Sequence, residues 1–236
     1  MSVTLEATVG QLVVERPGRA RVFENLGIDY CCGGKKPLGE ACRDKGLDPQ
    51  QLLAEIQAAD TTTSESGRNW AAATITELAD HIQSTHHALL KAEFPRLDRL
   101  TDKVATVHGQ RHPDLLAVRA TFVEFKEELE AHMMKEERIL FPLCRQIDSG
   151  DAMESHCGSV ANPIRMMMLE HDHAGAAMEK MRALTNGYVP PADACNTYRA
   201  MLDGLAVIEA DMHQHVHKEN NILFPRAIAA EDGLSR

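Results

Sequence analysis

One eleven-residue segment occurs twice in this chain. His132-Met133-Met134-Lys135-Glu136-Glu137-Arg138-Ile139-Leu140-Phe141-Pro142 and His215-Val216-His217-Lys218-Glu219-Asn220-Asn221-Ile222-Leu223-Phe224-Pro225 both read H-x-x-K-E-x-x-I-L-F-P, 83 positions apart (132 to 215). Each copy sets a His and a Glu four residues apart, which on an α-helix stacks both side chains on one face about one turn apart. An imidazole over a carboxylate, supplied twice, suits the interior of a helical bundle that holds two metal ions through nitrogen and oxygen. The ordinary alternative is a solvated i,i+4 pair, worth only about 0.2–0.5 kcal/mol. A matched repeat is hard to obtain that way.

The echo reaches further. His87 and His171 lie 84 positions apart, and apolar or small residues follow each at the same offsets: Leu90, Phe94 and Leu97 after one, Ala174, Met178 and Met181 after the other. Each half of the bundle is therefore a helix with one inward His followed by a helix with His-x-x-x-Glu. His86 rivals His87, because it follows Ile82 on an apolar stripe, but its repeat-related position is Glu170 and not a His. The repeat selects His87, His132, Glu136, His171, His215 and Glu219. Imidazoles and carboxylates without thiolate suit iron, manganese or zinc. Burying such a group without a cation would be very costly. His108, in the connection between the first two helices, has Ala192 at the repeat-related position. A ligand there would make the two metals unequal.

The remaining chain fits this frame. Residues 1 to 60 read as a small helical domain, with Val9, Leu12, Val13, Val22, Phe23 and Leu26 at helical spacing before Gly27. Cys31-Cys32-Gly33-Gly34-Lys35-Lys36-Pro37 makes a turn. Short helices follow near Leu38–Lys45 and Pro49–Ala58, with Asp48 as N-cap. A polar linker spans 61–72, and an antiparallel four-helix bundle occupies 73–236. Thr74 with Glu77 caps its first helix, a second runs from about Asp114 and ends at Pro142, a third covers about Pro163 to Leu184, and a fourth ends at Pro225. The fold class is all-α. A formal net charge of −10 opposes a nucleic-acid or anionic-membrane partner. No signal-like or membrane-length apolar run occurs, so a cytoplasmic location is expected.

Five His with two carboxylates in a four-helix bundle resembles the hemerythrin-like fold. Joined to Asp29-Tyr30-Cys31-Cys32-Gly33-Gly34, it resembles the repair-of-iron-centres family of di-iron proteins. That resemblance implies two non-haem iron ions, bridged by Glu136 and Glu219, with or without an oxo group, and with His87, His108, His132, His171 and His215 as terminal ligands. It implies Glu128 and Glu170 along an access path, nitric oxide or oxygen as the small ligand, and iron–sulfur proteins as clients in nitrosative or oxidative stress. A monomer and a homodimer are both compatible with it.

Several readings stay open at this level. The site could scavenge or reduce nitric oxide or donate iron, serve as a carrier or sensor without turnover, or be a structural bundle holding zinc. Cys31 and Cys32 could form a structural cap, a redox-active pair or a site that exchanges iron or nitric oxide; a functional thiol role is favoured, mostly on the resemblance, with Lys35, Lys36 and a helix start after Pro37 available to lower their pKa. Cys42, Cys144, Cys157 and Cys195 are read as small core residues or idle loop thiols. His81, His112, His156, His173, His213 and His217 are read as surface residues or as supports for ligands.

Overall fold

The computed structural model describes residues 3–62, 68–150 and 158–234. Among them regular structure is helical, and the only β-type pairing is an isolated bridge between Thr8 and Pro37. The N-terminal helices are α1 (Val9–Glu15), α2 (Ala20–Asn25), α3 (Leu38–Lys45) and α4 (Pro49–Thr62). Then come α5 (Ile75–His81), α6 (Ala88–His108), α7 (Asp114–Lys135), α8 (Phe141–Ser149), α9 (Ala161–Leu184), α10 (Asn196–Lys218) and α11 (Phe224–Leu234). Three π-helical segments join them end to end: Ile82–His87, Glu136–Leu140 and Glu219–Leu223. No helix is long and apolar enough to cross a membrane, among the described residues.

Helix starts follow local chemistry. Thr8 Oγ1 accepts the Gln11 N–H at α1, and Asp48 Oδ1 accepts the Gln50 and Gln51 N–H groups at α4, at 2.7 and 3.2 Å. At α5 the capping is reciprocal: Thr74 Oγ1 accepts the Glu77 N–H at 3.0 Å, and Glu77 Oε2 accepts the Thr74 N–H at 2.9 Å. Helix α4 continues past the expected Ala58 to Thr62. Residues 63–67 of the expected linker, and 151–157 with His156 and Cys157, lie outside the described residues.

Two expected helix ends are corrected. Pro142 and Pro225 do not stop their helices, which continue as α8 and α11. In each case a π turn comes first, in which the Phe141 N–H bonds to the Glu136 carbonyl and the Phe224 N–H to the Glu219 carbonyl. Returning from i→i−5 to i→i−4 pairing leaves one position whose N–H is not needed, and there proline's missing donor costs little.

The chain divides into two compact units, Met1–Leu78 with His213–Arg236, and Ala79–Met212. The first has its core among Val9, Leu12, Phe23, Leu38, Leu52 and Ile56, all at most 2% exposed. Arg19, 2% exposed, is held there by Asp60, at 2.9 and 2.7 Å. The C-terminal helix joins this unit through amides. Gln214 Nε2 donates to Tyr30 Oη at 2.7 Å, and Asn221 Nδ2 donates to the Tyr30 and Cys31 carbonyls at 3.2 and 3.4 Å. A Cβ on Gly10 or Gly34 would lie 2.5 or 2.6 Å from Asn221 Oδ1, so both positions need glycine for this approach. Of the two roles expected for His217, surface residue or support for ligands, the structure excludes the first. His217 is 4% exposed, its ring packs 5.4 Å from that of Tyr30, and burial pushes its pKa down to about 4.

The second unit is the four-helix bundle. Helix α7 packs against both α6 and α9, and Phe94 meets Phe122 and Phe125 edge to face at 6.2 and 6.0 Å. Pro95 lies inside α6 without ending it. A Cβ on Gly204 would lie 2.6 Å from Leu97 Cδ2, so that glycine lets α10 close onto α6.

The Arg19–Asp60 pair should be a measurable support of the first unit. The hydrogen bonds from Arg19 are the main reason the Asp60 carboxyl sits below its ordinary value. Asp60→Asn should lower stability by about 2 kcal/mol at neutral pH in urea unfolding. Because the folded pKa is depressed, this contribution is present above about pH 4 and fades as pH falls through the folded value. The variant's deficit should therefore shrink in acid.

Candidate metal centre

In the bundle unit, three helical rods bring four buried donors together. His87 closes the first π segment, His132 lies on α7, Glu136 opens the second π segment and His171 lies on α9. All are at most 1% exposed. Glu136 Oε2 sits 3.3 Å from Nε2 of both His87 and His132, and the His132 and His171 Nε2 atoms face each other at 3.2 Å. His132, Glu136 and His171 offer ligand atoms within 4.8 Å of one another. His87 stacks on Phe141, ring centres 5.5 Å apart, which fixes its plane.

The outer ring nitrogens carry the argument. His87 Nδ1 lies 2.9 Å from Glu137 Oε1, and His132 Nδ1 lies 2.8 Å from Glu170 Oε2. The His132 hydrogen bond, joined by Lys135 and opposed by burial, pulls the Glu170 carboxyl down to about 2. Burial works against Glu137, yet Lys91 and His87 hold it below the usual carboxylate range. Ionised carboxylates only accept, so the shared proton lies on Nδ1 in both pairs. Each ring then turns its Nε2 toward Glu136, and in its neutral form that nitrogen presents a lone pair there. Lone pairs converging on a buried carboxylate repel unless a cation lies among them, and an all-nitrogen-and-oxygen set suits a borderline or hard divalent metal.

The other repeat copy has the same local form in its own unit. His215 Nε2 lies 3.2 Å from Glu219 Oε1, and both residues are wholly buried. Glu219 opens a π segment as Glu136 does. π turns concentrate at functional sites because they spread a helix locally and re-aim side chains.

His108 is not brought to the bundle cluster. It is the last residue of α6, 21 residues beyond His87, or about 30 Å along a helix axis. Its ring lies instead beside Tyr198 and the Cys195 sulfur. The expected loop position is thus the end of a helix, and the expected fifth ligand is out of reach. His86 is buried too, but its Nδ1 pairs with Asp211 Oδ1 at 2.8 Å. Glu170 and exposed Glu128 border a cavity of about 290 Å³ next to His132, walled by Phe125, Met166 and Leu169. Glu137 was missed by the sequence reading, because its repeat-related residue is Asn220 and the repeat could not flag it.

The Cys31 and Cys32 sulfurs lie 4.0 Å apart, beyond a disulfide bond. Asp29 organises the turn: Oδ1 accepts the Cys31 and Cys32 N–H groups at 2.9 and 3.0 Å, and Oδ2 accepts that of Gly33 at 2.8 Å. The expected lowering of the thiol pKa does not hold for Cys31. Its thiol is pushed well up by the hydrogen bond with Cys32, by burial and by the nearby Asp29 carboxylate, while Lys36 is engaged with Asp44 at 2.5 Å.

A family model described as the hemerythrin HHE cation-binding domain matches residues 78–227, and one described as a domain of unknown function matches 5–60. A Musicola paradisiaca protein named iron-sulfur cluster repair protein YtfE is 37% identical over 228 residues, covering 96% of this chain and 98% of its own. A Haemophilus influenzae protein named probable iron-sulfur cluster repair protein is 36% identical, covering 93% and 96%. An Escherichia coli O157:H7 protein with the same name as the first is 36% identical, covering 94% and 97%.

Two sets of variants test the geometry. Removing the proton acceptors by Glu137→Ala or Glu170→Ala should weaken metal affinity by about 10–100-fold, measured by competition with a coloured chelator. His87→Gln should lower the metal retained per chain, whereas His86→Gln should leave it unchanged. Equal losses from both would overturn the choice of His87.

Proposed function

We propose, for a chain that belongs to the iron–sulfur cluster repair family of hemerythrin-like proteins, that it holds two iron ions and uses them to repair damaged iron–sulfur clusters. The proposed ligands are His87, His132, His171 and His215, with Glu136 and Glu219 as bridges. One observation carries this reading: carboxylate-paired imidazoles whose Nε2 atoms converge on the buried Glu136. The equally buried His215–Glu219 pair supplies the repeat-related half.

Iron in a nitrogen-and-oxygen setting supplies one-electron chemistry and a position for a small neutral ligand such as nitric oxide or oxygen. The protein's part is local. Glu137 and Glu170 accept from Nδ1 of His87 and His132, which fixes each ring's orientation and leaves Nε2 as the atom turned toward Glu136. The Phe125, Met166 and Leu169 walls suit a small uncharged molecule more than a bulky anion, with Glu128 and Glu170 reinforcing that preference. Cys31 and Cys32 take a thiol role in the repair reaction. With Asp29 they form a second small group of metal-competent side chains, and because the Cys31 thiol is pushed up, taking up a metal there would release its proton. We place the reaction in the cytoplasm, with iron–sulfur proteins as clients.

Metal analysis tests the core of this reading. Protein purified from iron-replete cells should carry about two iron ions per chain, and Glu136→Ala or Glu219→Ala should lower that sharply. Stoichiometric zinc, or no metal, would sink the proposal. Nitric oxide added anaerobically to the reduced protein then separates the chemistries. Nitrous oxide in the headspace indicates reduction, and a lasting spectral change without gas indicates a carrier. Cys31→Ser with Cys32→Ser should spare the iron while impairing reactivation of a damaged iron–sulfur enzyme.

A further inference from the structure

The C-terminal end of α6 and the start of α10 meet at a second cluster of reactive side chains. Cys195 immediately precedes Asn196, the first residue of the 23-residue helix α10, and the Arg199 N–H bonds to its carbonyl at 3.0 Å. It is therefore the N-cap of a long helix, with its side chain beside backbone donors that no helical carbonyl can reach. Across the junction, His108 Nε2 lies 3.3 Å from Cys195 Sγ, and the His108 ring packs on Tyr198 with centres 5.5 Å apart. The two residues are 87 positions apart and come from different helices, so the contact is made by the fold.

We infer that Cys195 and His108 form a reactive thiol site, able to exchange with low-molecular-weight disulfides. Three observations point the same way. Cys195 is exposed, so a small reagent can reach it. The partial positive charge of a helix N-terminus favours a thiolate there. The amide N–H groups of Tyr198 and then Thr197 hold the Cys195 thiol below its usual value. By contrast Cys42 and Cys144 are completely buried, and the Cys31 thiol is pushed up. Other charged and titratable groups at this corner are Arg111, His112 and Asp114 near the start of α7, and Asp193, Tyr198 and Arg199 on the Cys195 side, where Arg199 Nε donates to the Ala194 carbonyl at 3.2 Å. His112 is paired with Asp193 at 3.1 Å and its ring packs on Tyr198, which leaves His108 as the imidazole on the sulfur.

Cys195 gives its thiol proton to His108 Nε2, and the sulfur attacks one sulfur of the disulfide. A bond forms between Cys195 Sγ and that sulfur, and the original S–S bond breaks. The departing thiolate takes the proton back from His108 and leaves as a thiol. Cys195 is oxidised to a mixed disulfide, and the released half is reduced.

The test uses the full chain and dithiodipyridine, a small neutral disulfide whose released thione is coloured, with peptide mapping to assign each modified cysteine. At pH 7 Cys195 should react before every other cysteine, and severalfold faster than the same residue in the urea-unfolded chain. Its rate should rise with pH to a midpoint below the roughly 8.5 of an ordinary thiol. His108→Gln should slow the reaction at pH 7 by about threefold or more and move the midpoint upward. Metal content and circular dichroism of that variant should match the parent, because His108 lies far along α6 from His87. The inference is overturned if Cys195 reacts no faster in the folded chain than in urea. An unchanged pH profile in His108→Gln would equally remove His108 from the site.

Discussion

Everything distinctive in the bundle depends on where two protons sit. His87 and His132 each face an ionised carboxylate through Nδ1, so each turns its Nε2 inward at Glu136. This is an unfavourable way to fill a core. Lone pairs and a carboxylate turned toward one another, wholly out of water, would cost several kcal/mol without a positive charge. The bundle accepts that arrangement at one point and surrounds it with ordinary apolar packing, including the Phe94, Phe122 and Phe125 contacts further along. Such a local cost marks a place shaped for binding and not for stability.

Much of this was legible in the sequence, for a simple reason. A duplicated helix pair repeats its inward-facing residues, so His87, His132, Glu136 and His171 could be picked by their echo, and each is buried in the structure. The Thr74–Glu77 capping box and the Asp48 N-cap were legible because they are decided within four residues of chain. Features without an echo were harder. Glu137 has Asn220 as its counterpart and Glu170 has His86, so the partners of the ring nitrogens are not repeated even where the ligands are. The choice between surface and support stayed open for His217 because nothing local shows that Tyr30, 187 positions earlier, covers it.

His108 failed for a different reason. Its expected role came from a family pattern and from its unpaired place in the repeat, and neither measures distance. Helix α6 runs unbroken through Pro95 to His108, and a rigid rod of that length carries its two ends to opposite ends of a bundle. What the pattern assigned to the metals, the fold gives to a cysteine at the start of another helix.

The three π segments also separate two tasks that a regular helix must perform with one face. An extra residue in a turn advances everything downstream by roughly one residue of phase, about 100°. Upstream of Glu136 the helix can be phased for its inward donors, and downstream, from Phe141 through Cys144 to Ile147, it can be phased for packing. The wide turn works as a coupling between two shafts set at different angles. Either end can then change its sequence without forcing the other to rotate.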